Sequence, residues 1–166
     1  METEIPLTWF YQKEAGVIEN HAEAFFWLQK AAGQNHIKAQ SFMGECYDFG
    51  LGVVQDEDLA VEYYQKAAEQ GFAIAQYYLG RCYALEQGVD KDKQMSAEWC
   101  QKAVEQGYAG AQNNLGVCYE NGEGVDKDEQ MAIEWYRKAS EQGNLEAQQA
   151  LERLVPQRYG AAVRHF

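Results

Sequence analysis

Four cysteines are the side chains with the greatest chemical potential in this sequence, and their spacing indicates how they are used. Cys46, Cys82 and Cys118 follow one another at intervals of 36 residues, while Cys100 stands outside this series. A constant interval places the three thiols at equivalent positions of successive structural units, and packed helices lie about 8–10 Å apart. Because a disulfide needs Cα atoms within about 7 Å of each other, the series cannot pair with itself. The spacing predicts buried free thiols, which favours a reducing compartment.

Nothing in the sequence predicts export or insertion into a membrane. Residues 1–10 carry two glutamates where a secretory signal has positive charge followed by an apolar core. No run of 18 or more apolar residues occurs, so no membrane-spanning helix is predicted. We therefore expect a cytoplasmic protein with no membrane partner, unless an N-terminal signal has been removed.

Acidic pairs and histidines are the remaining candidates for catalysis or metal binding. Two acidic pairs recur in the same interhelical loop of successive units, Asp90 with Asp92 and Asp126 with Asp128. Their recurrence favours helix capping and solvation over acid–base chemistry or calcium binding. The histidines have no Cys, Asp or Glu at metal-ligand spacing on one helix face; they are His21, His36 and His165. The sequence predicts no catalytic residue, no metal site and no cofactor, so we expect a protein that is not an enzyme.

The charge balance argues against nucleic acid as a partner. The chain has 14 basic and 26 acidic residues, giving a net charge of -12. Nucleic-acid binding is driven by clustered Lys and Arg, so a field of this sign would repel phosphates. From Arg153 to the end the balance reverses, with three arginines and no acid. Three roles are open for this basic tail: folding back onto the acidic body, meeting a separate partner, or remaining solvated.

The elements that position these residues belong to a repeat of 36 residues. The anchors are Gly44, Gly80 and Gly116, each of which stands two residues before a Cys-Tyr pair. Each unit predicts two helices, because apolar residues recur at i, i+3, i+4, i+7 and i+8 on either side of a glycine-containing loop. Asp56 is a favoured N-cap for the second helix of its unit, and Gly71 is suited to close it. Repetition at this period is typical of an all-α array of stacked helix pairs.

We divide the chain into one repeat domain, residues 3–155, and a basic C-terminal tail, residues 156–166. The domain consists of a degenerate first repeat at 3–38, clear repeats at 39–74, 75–110 and 111–146, and a capping helix at 147–155. End units are expected to be atypical because they lack a neighbour on one side. This division predicts about nine helices.

The anchor glycines lie in the middle of predicted helices, where glycine costs about 1 kcal/mol relative to alanine. Close approach of the two helices of one repeat would offset that cost. Large rings recur at one position of the second helix, and we expect them to face the glycines as a structural ladder. These rings are Trp27, Tyr63, Trp99 and Trp135.

Three short motifs recur along the chain. They are Leu-Gly-x-x-Tyr at 79–83 and 115–119, Gly-x-Gly-Val at 50–53 and 122–125, and Ala-x-x-x-Tyr-x-Lys-Ala at 132–139. On these motifs the chain resembles the Sel-one-like repeat family, a relative of the tetratricopeptide repeats. The resemblance implies a right-handed superhelix of antiparallel helix pairs whose first helices line a concave face. Some secreted members join the two helices of each repeat by a disulfide, and the cysteine pattern here departs from theirs.

Positions of the first helices that avoid the predicted buried stripe would face this concave groove. They change type from one unit to the next, as expected if each meets a different part of one partner. The set comprises Trp9, Gln12, Ser41, Glu45, Asp48, Tyr77, Arg81, Ala84, Asn113, Val117, Glu120, Gln149 and Arg153. Within it we expect Tyr77 and Trp9 to act as anchors and Arg81 to bind a carboxylate.

These observations predict a non-catalytic scaffold or adaptor that binds a protein or peptide in its groove, monomeric by default. The alternative is an inhibitor or immunity-type protein that neutralises a toxic enzyme. In that case the acidic surface would mimic or block a basic active site. Rescue of growth when the protein is co-expressed with a toxic enzyme would favour the inhibitor over the adaptor.

Overall fold

A computed structural model of the protein describes residues 21–155, with side chains from residue 24 onward. Eight helices and no strand occur in this part of the chain, which confirms the predicted all-α class. They are α1 (His21–Gly33), α2 (Ile37–Phe49), α3 (Glu57–Glu69), α4 (Ala73–Leu85), α5 (Lys93–Glu105), α6 (Ala109–Asn121), α7 (Glu129–Glu141) and α8 (Leu145–Leu154). The first helix expected within 3–38, together with the tail 156–166, lies outside the described residues.

The helices form a solenoid of antiparallel pairs. First helices begin at Ile37, Ala73 and Ala109, 36 residues apart, and α8 starts at the next such position. Three complete pairs result, α2/α3, α4/α5 and α6/α7, while α1 is the second helix of the preceding repeat. Close packing joins each helix to the next one along the chain. The core is therefore distributed along the array rather than gathered at one centre.

Aspartates cap the second helices as the sequence predicted. Asp56 accepts a hydrogen bond from the Leu59 amide at 3.0 Å, and Asp92 accepts one from Met95 at 2.9 Å. Asp128 accepts from two amides in the same way. Each of these bonds satisfies an otherwise unpaired donor of the first helical turn. The acidic loop residues that recur at these positions are thus structural.

The rings that face the anchor glycines are not the ones the sequence analysis expected. A Cβ built on Gly44 would lie 2.5 Å from the Tyr64 ring, and one on Gly116 would lie 2.7 Å from the Tyr136 ring. Each facing tyrosine is 20 residues after its glycine, one position beyond the predicted ladder. Both tyrosines are almost fully buried. The prediction of a large ring against the glycine is right for these two pairs, but the residue assigned was wrong.

The pair α4/α5 uses its glycine differently. At the corresponding position Cys100 replaces tyrosine, and a Cβ on Gly80 would lie 3.0 Å from the Cys100 sulfur. It would also lie 3.1 Å from the backbone oxygen of Ser96. With a small side chain between them, the glycine of α4 approaches the backbone of α5 rather than a ring.

The ladder that was expected to face the glycines instead lies beside lysines. In each second helix a lysine three residues later places its ammonium over the ring, at 3.9 Å for both Lys102 over Trp99 and Lys138 over Trp135. The same arrangement occurs in α1 and α3 at 5.0 Å, with Lys30 over Trp27 and Lys66 over Tyr63. This spacing brings neighbours on one helix face together.

Glycines in the interhelical loops allow successive repeats to stack closely. A Cβ on Gly88 would clash with the carbonyl oxygen of Glu57, and one on Gly124 would clash with that of Lys93. Both glycines also have positive φ, at 65° and 72°. Each loop therefore contacts the first turn of the second helix in the preceding repeat, where no side chain would fit.

Paired glutamines form a second contact that recurs along the array. In each complete pair a glutamine near the start of the first helix accepts from a glutamine just past the end of the second. The pairs are Gln70 to Gln40 at 2.7 Å, Gln106 to Gln76 at 2.9 Å and Gln142 to Gln112 at 2.8 Å. The acceptor glutamines are buried, so these bonds satisfy polar groups inside the solenoid.

Candidate functional site

The outward-facing residues of α2, α4, α6 and α8 form one continuous surface, which we call the first-helix surface. Successive first helices meet side by side along it. On α6 and α8, Arg153 pairs with Glu120, and the Asn113 amide donates to Glu146 at 3.1 Å. These contacts join residues 33 apart in sequence, so they connect one repeat to the next.

Not all the predicted site residues are open to a partner. Ser41, Asp48 and Asn113 are buried, with 1%, 8% and 5% of their surfaces exposed. Asp48 lies inward because its carboxylate accepts a hydrogen bond from the Tyr64 hydroxyl at 3.3 Å. The expectation that every member of the set avoids the buried stripe is therefore wrong for these three.

The other members of the set are more accessible. Gln149 and Arg153 are exposed, as is Val117. The remaining described members are half-buried: Glu45, Tyr77, Arg81, Ala84 and Glu120. Trp9 and Gln12 lie outside the described residues.

An aromatic cluster occupies the part of this surface formed by α2, α4 and the start of α6. The Tyr77 ring lies 5.2 Å from Tyr78 and 5.1 Å from Tyr108, measured between centroids. Phe49 meets Tyr78 edge-on at 6.4 Å, and the Arg81 guanidinium lies 5.7 Å from the Tyr78 centroid. We call these five residues the aromatic section. Its rings hold one another, so they present a rigid surface to a partner.

Sequence reasoning missed Phe49 of the aromatic section and the neighbouring Leu85. Phe49 stands eight residues after Ser41 on the same helix face, and 52% of its surface is exposed. Leu85 occupies the equivalent position of α4 and is 56% exposed. A helical face includes i+8 as well as i+7, so this spacing could have identified both residues. Tyr78 could not have been assigned, because it also stacks on buried Tyr64 at 5.0 Å.

Arg81 is the cation at the centre of the aromatic section. Within residues 21–155, no carboxylate lies at ion-pair distance from its guanidinium. Burial raises the pKa of Tyr77, and the neighbouring Arg81 opposes that rise. A guanidinium held on ring faces can still bind a carboxylate at its edge.

A polar pocket occupies the other end of the surface, between α6 and α8. It has a volume of about 510 Å³, and Asn113, Val117, Glu120, Glu146 and Arg153 are among its lining residues. The two nitrogens of Arg153 donate to Glu120 at 2.5 and 2.9 Å. The Tyr136 hydroxyl donates to the same carboxylate at 2.8 Å. The hydrogen bonds from Arg153 and Tyr136 lower the pKa of Glu120, which is therefore charged at neutral pH.

The cysteines show none of the features of reactive thiols. All four are buried and free of disulfides. Burial raises the pKa of Cys100 and Cys82 to about 12, and that of Cys46 and Cys118 to about 11. A thiol with so high a pKa is a poor nucleophile at neutral pH. These residues act as small apolar side chains of the core.

Neither a metal-binding group nor a membrane-spanning helix occurs among the described residues. Among residues 21–155 there is no group of three or more His, Cys, Asp or Glu side chains placed to hold a metal ion. No helix in that range is both long and apolar enough to cross a membrane.

Comparison with known families gives a match over most of the chain. A family described as Sel1 repeat matches four successive segments, 9–36, 37–72, 73–108 and 109–144. The last three segments begin where α2, α4 and α6 begin. No curated protein matches the chain.

Two solved structures resemble the chain over most of its length. One is a protective antigen of uropathogenic Escherichia coli strains with an SLR fold, at 38% identity and a TM-score of 0.79, covering 89% of this chain and 32% of that protein. The other is a Sel1 repeat protein from Oxalobacter formigenes, at 35% identity and a TM-score of 0.78, covering 89% and 60%. This chain therefore spans about a third of the first protein and three fifths of the second.

A third structure resembles the chain less closely. Cysteine rich protein B of Helicobacter pylori aligns at 27% identity with a TM-score of 0.60, covering 75% of this chain and 94% of that protein. That protein is named for its cysteines, whereas the four cysteines here are free.

Proposed function

The chain belongs to the Sel1 repeat family, and we propose that it is a non-catalytic scaffold that holds a protein or peptide partner against its first-helix surface. Proteins of this family are generally protein-interaction scaffolds. We place the partner on the first helices because the residue types at their outward positions differ from repeat to repeat. The residue types at the packing positions stay the same.

The aromatic section is the observation that carries this proposal. Aromatic and arginine side chains dominate the energetics of protein interfaces because they bury large rigid areas and offer directed hydrogen bonds. Here three tyrosines, a half-exposed phenylalanine and an arginine without a described carboxylate partner lie within one patch. A purely structural surface would not need a half-exposed Phe49 and a half-exposed Leu85 beside it.

Affinity capture from the native cell tests the proposal. The variant Phe49→Ser with Arg81→Glu changes two side chains of the aromatic section and leaves the half-buried Tyr77 in place. We expect it to reduce capture of the partner more than about 30-fold, since hot-spot residues are worth at least about 2 kcal/mol. The melting temperature should stay close to that of the natural chain, because Phe49 is exposed and the half-buried Arg81 makes no ion pair within the described residues.

A matched control separates this surface from the rest of the solenoid. Val54→Ser with Arg137→Glu makes the same kind of change at exposed residues elsewhere, and capture should be unaffected. If this control abolishes capture and the test variant does not, the partner binds another face.

The same proposal places the protein in a reducing compartment, such as the cytoplasm. Its support is that four cysteines are all buried and unpaired. Alkylation of intact cells followed by mass spectrometry should find all four as thiols after denaturation. Recovery of a disulfide would refute this placement.

A further inference from the structure

We propose that the pocket between α6 and α8 binds a basic side chain of the partner, preferably an arginine. This inference rests on the proposed function, since it takes the first-helix surface as the recognition surface. It adds a second and chemically distinct subsite to the aromatic section.

An unpaired acceptor in Asn113 is the first support. The side chain is 95% buried, since only 5% of its surface is exposed. Its Nδ2 donates to Glu146 at 3.1 Å, and its Oδ1 is buried and accepts no hydrogen bond from any residue of the described chain. A buried acceptor that is left unpaired is unfavourable, so a ligand that supplies a donor at this point would bind more tightly.

The charge of the pocket is the second support. Two glutamates and one arginine line it, and the arginine is already engaged, since both terminal nitrogens of Arg153 donate to Glu120. Glu146 keeps only the Asn113 amide as its described donor. The pocket is therefore one negative charge in excess, on a chain whose net charge is -12. A cation is attracted to this site and an anion is repelled.

The shape of the pocket suits an arginine. A guanidinium has five donors in a fixed fork, so one group can donate to the Asn113 Oδ1 and to Glu146 together. The pocket volume of about 510 Å³ admits such a side chain. Val117 and Ala150 line the same pocket and can cover the aliphatic stem.

Packing of the solenoid does not require these residues. The positions of Asn113 and Glu146 correspond to Tyr77 and Gly110 one repeat earlier, and to Ser41 and Ile74 before that. Neither earlier pair combines an amide with a carboxylate. The two earlier junctions stack without such a pair, so the amide and carboxylate at the last junction are not part of the repeated packing.

Titration of the full-length, isotopically labelled chain followed by NMR tests the proposal. The probe is the peptide acetyl-Gly-Arg-Gly-amide, and the reference is the same peptide with neutral citrulline in place of arginine. We expect only the arginine peptide to shift the Asn113 side-chain amide signals in a saturable way. An equal response to citrulline, or no response to arginine, would overturn the proposal.

A pair of charge-matched variants sharpens the test. Glu146→Gln should weaken binding of the arginine peptide about tenfold, the loss of one charged hydrogen bond. Glu141→Gln removes the same charge from an exposed position on α7 and should leave the affinity unchanged. Equal weakening by both variants would mean that the peptide senses only the overall charge, which overturns the pocket.

The basic tail of the chain is the competing occupant. Residues 156–166 follow α8 and contain Arg158 and Arg164. If the Arg158→Ser with Arg164→Ser variant shifts the pocket signals without peptide, and the natural chain does not respond to the arginine probe, the tail is the occupant and the proposal fails. Failure here with capture still dependent on Phe49 and Arg81 would leave the proposed function intact.

Discussion

The middle helix pair, α4/α5, differs from its neighbours α2/α3 and α6/α7 at the centre of each helix contact. In both neighbours a tyrosine faces the anchor glycine and its hydroxyl donates to an acid of the first helix. These bonds run from Tyr64 to Asp48 and from Tyr136 to Glu120. In the middle pair the tyrosine position holds Cys100 and the acid position holds Ala84.

The ring and the acid therefore occur together or not at all. A carboxylate that is partly buried between two helices loses contact with water, which is unfavourable unless a donor hydrogen-bonds to it. An acid at this position without the tyrosine would therefore be destabilising. The comparison also shows that the anchor glycine has a different packing role in different helix pairs. Beside a tyrosine it makes room for a ring, and beside Cys100 it allows two helix backbones to approach.

Substituting the anchor glycines should give the largest effect. Gly44→Ala and Gly116→Ala place a methyl group within 2.5 and 2.7 Å of a buried ring. The Tyr64 ring is held in place, because it stacks on Tyr78 and its hydroxyl donates a hydrogen bond to Asp48. Overpacking costs about 1–3 kcal/mol and alanine gains about 1 kcal/mol of helix propensity, so we expect net losses of up to about 2 kcal/mol in denaturant unfolding.

The middle glycine should behave differently. The nearest atoms to a Cβ on Gly80 lie at 3.0 and 3.1 Å, a much milder conflict. The gain in helix propensity should nearly cancel it, leaving Gly80→Ala within about 0.5 kcal/mol of the natural chain. The cost of Gly44→Ala should also fall in a Tyr64→Cys background. Equal losses at all three glycines would show that the distinction between the pairs is unreal.

A second deviation of the middle pair should be correctable. Glu86 follows α4 with a φ of 61°, whereas Gly50 and Gly122 occupy the equivalent positions at 67° and 70°. A side chain in this left-handed region costs about 1–2 kcal/mol, partly offset by the greater freedom of glycine in the unfolded chain. We expect Glu86→Gly to stabilise by about 0.5–1 kcal/mol in the same unfolding assay.

The neighbouring residue provides the control for that substitution. Gln87 does not have a positive φ, so Gln87→Gly should not increase the free energy of unfolding. If Glu86→Gly destabilises, the glutamate makes an interaction that outweighs its backbone strain.

The smallest effect concerns pH and the acid that the middle pair lacks. The pKa of Glu120 is lowered by hydrogen bonds from Arg153 and Tyr136. A carboxyl group whose pKa is lowered by folding stabilises the folded state at pH values above its unfolded-state pKa. This contribution is lost as the pH falls through the lowered pKa of the folded state. Arg153→Ala should therefore reduce the melting temperature at neutral pH, and the difference should shrink as the pH falls below the ordinary pKa of a glutamate and through the lowered pKa of Glu120.

Arg137→Ala is the matched control for the pH experiment. Arg137 is exposed on α7 and makes no ion pair within the described residues. Its removal should give no such pH-dependent difference. A difference for Arg153→Ala that persists unchanged in acid would mean that its contribution comes from packing rather than from charge.

The repeat and its helices could be predicted from the sequence because they depend on local signals. The 36-residue period, the aspartate caps and the buried stripe all lie within single helices or loops. The ring that faces each glycine could not be assigned this way. Positions 19 and 20 after the glycine are adjacent on the second helix, and the packing angle between the two helices determines which one makes the contact.

Residues of the candidate site were harder to predict for a related reason. Contacts such as Asn113 with Glu146 join helices of different repeats, and no pattern within one helix shows them. The paired glutamines, in contrast, did leave a signal. Gln40, Gln76 and Gln112 keep the period, as do their partners 30 residues later. A polar residue that repeats as faithfully as the apolar core indicates a buried hydrogen bond.

The paired glutamines also bear on how the protein would respond to mechanical force. Each pair ties the start of one helix pair to its own end, and the most extensive packing lies between consecutive helices. Tension applied to the two ends would therefore load the junctions in series, and the weakest would yield first. A released repeat of 36 residues extends by about 120 Å at roughly 3.4 Å per residue. Under load we expect the solenoid to lengthen in discrete steps, one repeat at a time.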